Sequence, residues 1–409
     1  MTFFDSRWVE QPAHVKELEP VGIARGFKSG AVHAGLKKKG LDVGVLLNEN
    51  PDGVSAARFT SNARVGAPVI VSREARLDAL QAVVANAGGS NTAAGDAGVA
   101  TALASRESAA EALGVEADRI GLASTGVIGP VLPKDKLCSG VEAAAKRLGG
   151  DARDFSECIL TTDDGPKRAC LEVALPSGRV LLSAQSKGAG MISPRYATMF
   201  CFVQTDADME AETLELLTGV CVKRSFDRIS VDGQLSTSDT VYTQAGGASG
   251  VRVEPESEDE LALGQALDAL MRQLAMKIVH DGEGSRRVGR IVVRGEPEAV
   301  EPVARSVANS PLVKTALHGA DTNFGRVLQA AGQAMRGPFV VDLEVDGLLV
   351  ASAGAEVPLD GEERERLEKA VNANEVEMIL TLPGEGGETE VFFSDLSHEY
   401  VTINAEYTT

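Results

Sequence analysis

Ser186-Lys-Gly-Ala-Gly-Met-Ile-Ser-Pro-Arg-Tyr-Ala-Thr-Met-Phe200 runs a short glycine-rich loop with one proline straight into Thr198, and the apolar run Met199–Val203 follows at once. A hydroxyl at the head of a buried strand, behind a loop able to hold strained backbone, suits a self-cleaving nucleophile. Breaking the Ala197–Thr198 bond frees the α-amine of Thr198. With an unperturbed pKa of about 7.7–8.0, that amine can serve as base for its own hydroxyl near neutral pH. On this stretch alone, an ordinary loop entering a core strand is the competing reading.

The rest of the composition narrows the class. At 409 residues, with 44% hydrophobic and 24% charged residues, the chain reads as a globular protein of two or three domains. A net charge of −19 argues against nucleic acid, whose phosphates need Lys/Arg surfaces. No apolar run reaches the roughly 18–20 residues that span a bilayer. The first ten residues, through Glu10, lack the pattern of a signal or transit peptide, so a cytoplasmic location is expected. The 5 cysteines show no C-x-x-C spacing and the 5 histidines no H-x-x-x-H, so neither a disulfide framework nor a metal site is expected.

Along the chain, Val43–Leu47, Pro68–Val71, Ala82–Ala85 and Ile120–Ser124 read as short strands. Ala97–Leu113 reads as a helix, and Lys134–Leu148 as another ending at Gly149-Gly150. A hairpin flanks Gly178, and helices are predicted from about Glu210 to Lys223 and from Glu258 to His280. Arg290–Val293 opens a new βα pattern. Beyond it come helices Ala299–Ala308 and Phe324–Ala334, strand Phe339–Val345, a tight turn at Asp346-Gly347, a charged helix from about Asp360 to Ala373 and two closing strands. The class is α/β or α+β with mixed sheets, and a domain boundary falls near residue 286, giving 1–285 and 286–409.

Several short segments could carry chemistry. There is no G-x-x-x-x-G-K-[ST], G-x-G-x-x-G or G-x-S-x-G, so nucleotide-loop and hydrolase-elbow readings fail. Thr125-Gly126 follows a buried strand, where a hydroxyl and an N–H can make an oxyanion hole; a plain turn is the alternative. Lys187 can meet a substrate carboxylate or simply be solvated. Glu283 lies between two glycines on a turn that can present its carboxylate. Thr161-Thr162-Asp163-Asp164 reads as a cap or turn. The end, Asn404 to Thr409, would pass for a tail except that Tyr400 and Tyr407 hint at packing.

Read together, the chain resembles the ornithine acetyltransferase (glutamate N-acetyltransferase) family of arginine biosynthesis over nearly its whole length. The resemblance rests on ordered segments that include Phe59-Thr-Ser-Asn62, Ser124-Thr-Gly-Val-Ile-Gly129, Thr161-Thr-Asp163, Lys187-Gly-Ala-Gly-Met-Ile192 and Ala197-Thr-Met199. Farther on come Ser236-Thr-Ser-Asp-Thr240, Asp281-Gly-Glu-Gly284, His318-Gly-Ala-Asp-Thr-Asn-Phe-Gly-Arg326 and Tyr400–Thr409. It implies an α-β-β-α sandwich of the N-terminal-nucleophile-like aminopeptidase/ornithine acetyltransferase type, with a smaller C-terminal α/β domain. It also implies cleavage between Ala197 and Thr198, Thr198 as nucleophile, and Thr125 and Gly126 as the oxyanion hole. Thr161 (or its neighbour Thr162), Lys187, Thr198, Glu283, Asn404 and Thr409 match the family's substrate-binding positions.

The implied reaction moves an acetyl group from N-acetylornithine to glutamate by a ping-pong route through acetyl-Thr198. No bound cofactor or metal is implied, and acetyl-CoA stays open as a co-substrate. The implied assembly is two α and two β fragments of the precursor, with neither nucleic acid nor membrane as partner. Departures such as Met199-Phe200, Pro194-Arg-Tyr196 and Ser285-Arg-Arg287 leave every catalytic group in place. The alternatives are an N-terminal-nucleophile aminopeptidase or amidase, a specialised-metabolism acetyltransferase relative, and an uncleaved binding protein.

Overall fold

Phe200–Thr205 and Thr240–Ala245 are buried at every residue, as strands covered on both faces must be. Their position organises the first three-quarters of the chain. The computed structural model describes residues 2–193 and 199–407. The expected cleavage pair Ala197 and Thr198, and the terminal Thr409, lie outside the described residues.

In chain order come β1 (Val15–Glu17), β2 (Phe27–Val32), β3 (Val43–Asn48), β4 (Val54–Phe59), α1 (Ala67–Arg73), β5 (Ala82–Asn86), α2 (Gly95–Leu113), β6 (Ile120–Ser124), α3 (Lys134–Ala145) and α4 (Arg153–Cys158). The hairpin β7 (Lys167–Leu175) and β8 (Gly178–Lys187) follows, then β9 (Phe200–Thr205), α5 (Ala211–Arg224), β10 (Ile229–Ser230), β11 (Thr240–Ala245) and α6 (Glu258–His280). The remainder is β12 (Val288–Gly295), α7 (Pro297–Ala308), α8 (Pro311–His318), α9 (Gly325–Ala334), β13 (Asp342–Val345), β14 (Leu348–Ser352), β15 (Ala355–Glu356), α10 (Gly361–Val371), β16 (Glu375–Thr381), β17 (Gly387–Ser394) and α11 (His398–Glu406).

Two sheets face each other. One has the order β1-β7-β8-β9-β11-β4 and the other β2-β3-β5-β6. Alternation along β9 sends Phe200 and Phe202 one way, with Tyr242 of β11, against Phe27, Leu46, Val83 and Ala123 of the four-stranded sheet. Cys201 and Val203 point the other way, into a cluster with Leu214 of α5 and Leu267, Leu270 and Leu274 of α6. On the far side, Val43, Val45, Val84 and Leu122 pack with Val71 of α1, Ala102 of α2 and Leu137 of α3. The layers are therefore α, β, β, α, as the resemblance implies. A third sheet, β10-β17-β12-β16-β13-β14-β15, carries its own core of Ile291 and Val293 with α7 and α9 residues such as Val303, Val307 and Ala330. Its edge strand β10 comes from before residue 286 and runs parallel to β17.

Local signals explain most elements. In α6, Ser257 caps the N-terminus by accepting from Glu260 N–H, and three acidic residues fill the first turn. Asp360 and Glu363 form a reciprocal capping box on α10. Asp346 and Gly347 both take positive φ, as a two-residue hairpin turn requires.

Two expectations need correction. Pro68–Val71 lies inside α1 rather than in a strand: Pro68 occupies the first helical turn, where its missing N–H costs nothing. The helix from Lys134 stops at Ala145, because Ser29 and Gly149 exchange backbone hydrogen bonds at 3.0 and 2.8 Å. Near the C-terminal end, where Tyr400 hints at packing, the chain forms the helix α11, capped by Ser397.

Tyr242 joins the two facing sheets. Its ring lies where a Cβ on Gly121 would come within 2.7 Å, and its hydroxyl donates to Leu122 O at 3.1 Å. Tyr242→Ala should cost about 3–5 kcal/mol in chemical denaturation, and Tyr242→Phe about 1 kcal/mol. Equal costs for the two variants would contradict a packing role for the ring.

Candidate active site

The ends of β6 and β8 open on one side of a cavity of about 110 Å³, together with the turn after α6 and the helix α11. Thr125, Gly126, Thr161, Thr162, Lys187, Glu283 and Asn404 all line it. These expected site residues come from segments far apart in sequence, and the fold gathers every one that is described.

Thr125 extends the β5–β6 ladder by one residue, its N–H donating to Asn86 O at 3.0 Å. Gly126 then turns at φ +121°, and a Cβ there would fall 2.6 Å from Gly89 N, so only glycine fits. Lys187, the last residue of β8, is buried rather than solvated. Its Nζ donates to Thr161 Oγ1 at 2.8 Å and to Thr125 Oγ1 at 3.4 Å. Thr161, rather than Thr162, is thus the hydroxyl bonded to the lysine.

Behind Lys187 stands Asp163, with a wholly buried side chain. It accepts from Lys167 Nζ at 2.8 Å, Gly188 N–H at 2.6 Å and Thr161 N–H at 3.1 Å, and lies 3.8 Å from Lys187 Nζ. Burial alone would raise its pKa. The Lys187 and Lys167 ammoniums and the Gly188 N–H outweigh burial and hold the carboxyl well below the usual range. Burial also lowers the Lys187 pKa, with Asp163 pulling it back up. Lys167 passes the chain of charges on to Asp281, whose carboxyl burial pushes up to about 6 against the pull of Lys167.

Glu283 enters from the opposite wall. Its N–H donates to Ala189 O at 2.9 Å, and its buried carboxylate accepts from Asn404 Nδ2 at 2.5 Å. A Cβ on Gly190 would come 2.5 Å from the Glu283 carboxyl, which accounts for glycine there. Asp232 holds the adjoining loop by accepting from Met191 N–H at 2.7 Å and Ile192 N–H at 2.9 Å. Met191 is kept at φ +56°, and Tyr400 of α11 donates its hydroxyl to the same Asp232 at 3.2 Å.

Reasoning from sequence missed Asp163, Asp232 and Asp239 as working groups. The polar run Ser236-Thr-Ser-Asp-Thr240 is buried at all five residues. Asp239 Oδ1 accepts Met199 N–H at 3.0 Å. The missed signal is a run of polar residues leading directly into the buried strand β11. Among the described residues no group of three or more His, Cys, Asp or Glu side chains is set to hold a metal ion. No helix among them is long and apolar enough to cross a membrane.

A family model described as the ArgJ family matches residues 28–409. The arginine biosynthesis bifunctional protein ArgJ of Streptococcus thermophilus is 36% identical over 391 residues, spanning 94% of this chain and 97% of its own. The chain belongs to the ArgJ family. The ArgJ protein of Nitratidesulfovibrio vulgaris is 37% identical over 394 residues, with 94% and 98% covered. A solved structure of ornithine acetyltransferase complexed with ornithine, from Mycobacterium tuberculosis, is 32% identical with a TM-score of 0.41, covering 44% of this chain and 98% of that one.

In this ArgJ-family chain the Glu283–Asn404 bond fastens α11 over the cavity. Gly190→Ala should separate the pair, since the new methyl group and the carboxyl claim the same space. Hydrogen exchange across residues 398–406 is then expected to quicken while the sheets keep their protection. Unchanged exchange in α11 would show that the clasp does not hold the helix.

Proposed function

We propose that the chain is a glutamate N-acetyltransferase that takes its acetyl group from N-acetylornithine, through an acyl ester on Thr198. The observation that carries this reading is Lys187, a buried ammonium that faces the Thr125 and Thr161 hydroxyls in the cavity that Glu283 and Asn404 close. Such a cation is suited to an amino-acid carboxylate, and Glu283 to the side-chain ammonium of ornithine. The family's curated relatives are named arginine biosynthesis proteins, which agrees with that substrate class.

In the precursor, Thr198 Oγ attacks the Ala197 carbonyl and the peptide C–N bond breaks, leaving an ester and a free α-amine. Water resolves the ester, giving fragments 1–197 and 198–409, which we expect to assemble as two of each. The new amine then accepts the proton of its own hydroxyl as Thr198 attacks N-acetylornithine, ornithine leaves, and the glutamate amine takes the acetyl group. Thr125 Oγ1–H and the Gly126 N–H would stabilise the oxyanion in each tetrahedral step; one such donor is worth about 2.7–4 kcal/mol. The scheme calls for no bound cofactor. Acetyl-CoA as a second donor fits the word bifunctional in the relatives' names. Thr409 would complete the substrate site from the chain's end. Free cysteines suit the reducing cytoplasm we assign to the enzyme.

Incubation with N-acetylornithine, with and without glutamate, tests the reading. Ornithine release should depend on glutamate, with N-acetylglutamate formed in equal amount, and Thr198→Ala should abolish it while keeping the chain whole. Ornithine release that ignores glutamate, with no N-acetylglutamate, would make the protein an amidase instead.

A further inference from the structure

The run His318-Gly-Ala-Asp-Thr-Asn-Phe-Gly-Arg326 plays no part in the chemistry above, yet its first residue reaches the wall that carries Glu283. His318 closes α8, and its Nδ1 lies 2.8 Å from Asp395 Oδ2. One helical turn earlier, the buried Lys314 donates to Ser394 O, and Leu396 N–H donates back to Lys314 O at 3.2 Å. Residues four apart share a face of a helix, so α8 grips the end of β17 and the residues after it at two points.

Asp395 is 3% exposed, and both of its oxygens are engaged: Oδ2 with His318, and Oδ1 as acceptor of Arg286 N–H at 3.0 Å. A carboxylate only accepts, so His318 Nδ1 carries the proton of their bond. Asp395 N–H donates to Arg287 O at 3.0 Å, and Arg287 Nη1 donates to His318 O at 2.6 Å, which closes a ring of contacts at the end of the Glu283 turn. The turn itself leans on the same segment. A Cβ on Gly282 would fall 2.9 Å from Ser394 Cβ, and one on Gly284 would fall 2.8 Å from Glu399 Cβ. Ser285 N–H donates to Gly282 O at 2.7 Å and keeps the turn tight, so a shift at residue 286 is carried to Glu283.

We propose that His318, acting through Asp395, is a positioning residue that sets where the Glu283 carboxylate stands, and with it the preference for a donor whose side chain ends in an ammonium. The inference rests on the reading of Glu283 as the partner of that ammonium. Without the His318 donor, Oδ2 becomes a buried carboxylate oxygen with no partner, which is costly. The carboxyl then turns toward other donors and releases Arg286 N–H, and the turn loosens. A misplacement of about 1 Å at a substrate-positioning contact can cost about 100-fold. Thr125, Thr161 and Lys187 are fixed by the β5–β6 ladder and by Asp163 instead, so the opposite wall keeps its geometry.

The test compares two donors on the processed enzyme, with glutamate as acceptor: N-acetylornithine, and N-acetylnorvaline, which has the same carbon chain without the side-chain amine. The ratio of their kcat/KM values does not depend on how much of a preparation is folded. The parent should favour N-acetylornithine by about 100-fold or more. His318→Leu should lower that ratio by about 10-fold or more, through N-acetylornithine alone. His318→Gln, whose amide falls beyond the Nδ1 position, is the gentler removal and should lower it too. His318→Asn, which returns an N–H close to the Nδ1 position, should hold the parent's ratio. Variants His318→Leu and His318→Gln that slow both donors in step, or a His318→Asn that loses as much of the ratio as His318→Leu, would overturn the inference. A parent with no preference between the donors defeats the reading of Glu283, and the inference with it. A preference lost in Glu283→Gln but kept in His318→Leu defeats only the role of His318.

Discussion

The Asp163 carboxylate is buried completely, and a buried charge persists only where cations and N–H donors compensate it. Lys167, Lys187, Gly188 N–H and Thr161 N–H supply that compensation, so one side chain binds the 161–167 segment to the end of β8. Through Lys167 it also reaches Asp281, at the end of α6. Two ammoniums meet one carboxylate held firmly ionised and a second that burial pushes up to about 6. Lys187 turns its ammonium toward the Thr125 and Thr161 hydroxyls at the cavity, where an incoming carboxylate can meet it. Removing Asp163 would leave two buried cations to repel each other.

Around this cluster the fold supplies rigidity where chemistry needs it. The facing sheets bring the ends of β6 and β8 to one rim. The glycines at 126 and 190 let backbone and carboxylate come closer than any side chain would allow. Asp232 serves two segments at once, holding the 191–192 loop and the Tyr400 hydroxyl, so loop and C-terminal helix are positioned together. Asn404 then reaches Glu283 from a helix that is otherwise exposed.

The sequence made legible whatever depended on local pattern. The helix Glu258–His280, the hairpin at Gly178 and the turn at Asp346-Gly347 all follow from local pattern. Thr125, Gly126, Lys187, Glu283 and Asn404 were found through ordered motifs, and the structure gathers them at one cavity. What stayed hidden depends on partners distant in the chain. Asp163 looks like a turn residue until Lys187 is beside it, and nothing local marks Asp239 as buried until β9 pairs with β11. Pro68–Val71 is helical rather than extended because four apolar residues fit a strand or a helix equally well, and tertiary packing decides. At the chain's end Tyr400 hints at packing, and the structure adds the helix that Tyr400 and Asn404 fasten.

The claim on which all of this turns is that acyl groups pass through Thr198. The most direct measurement is peptide mass spectrometry of the protein after brief exposure to N-acetylornithine without glutamate. The expected result is one acetyl group on the Thr198 hydroxyl of the fragment that begins there, discharged when glutamate is added. An unmodified Thr198 under conditions that release ornithine, or an acetyl group that glutamate does not remove, would contradict the account.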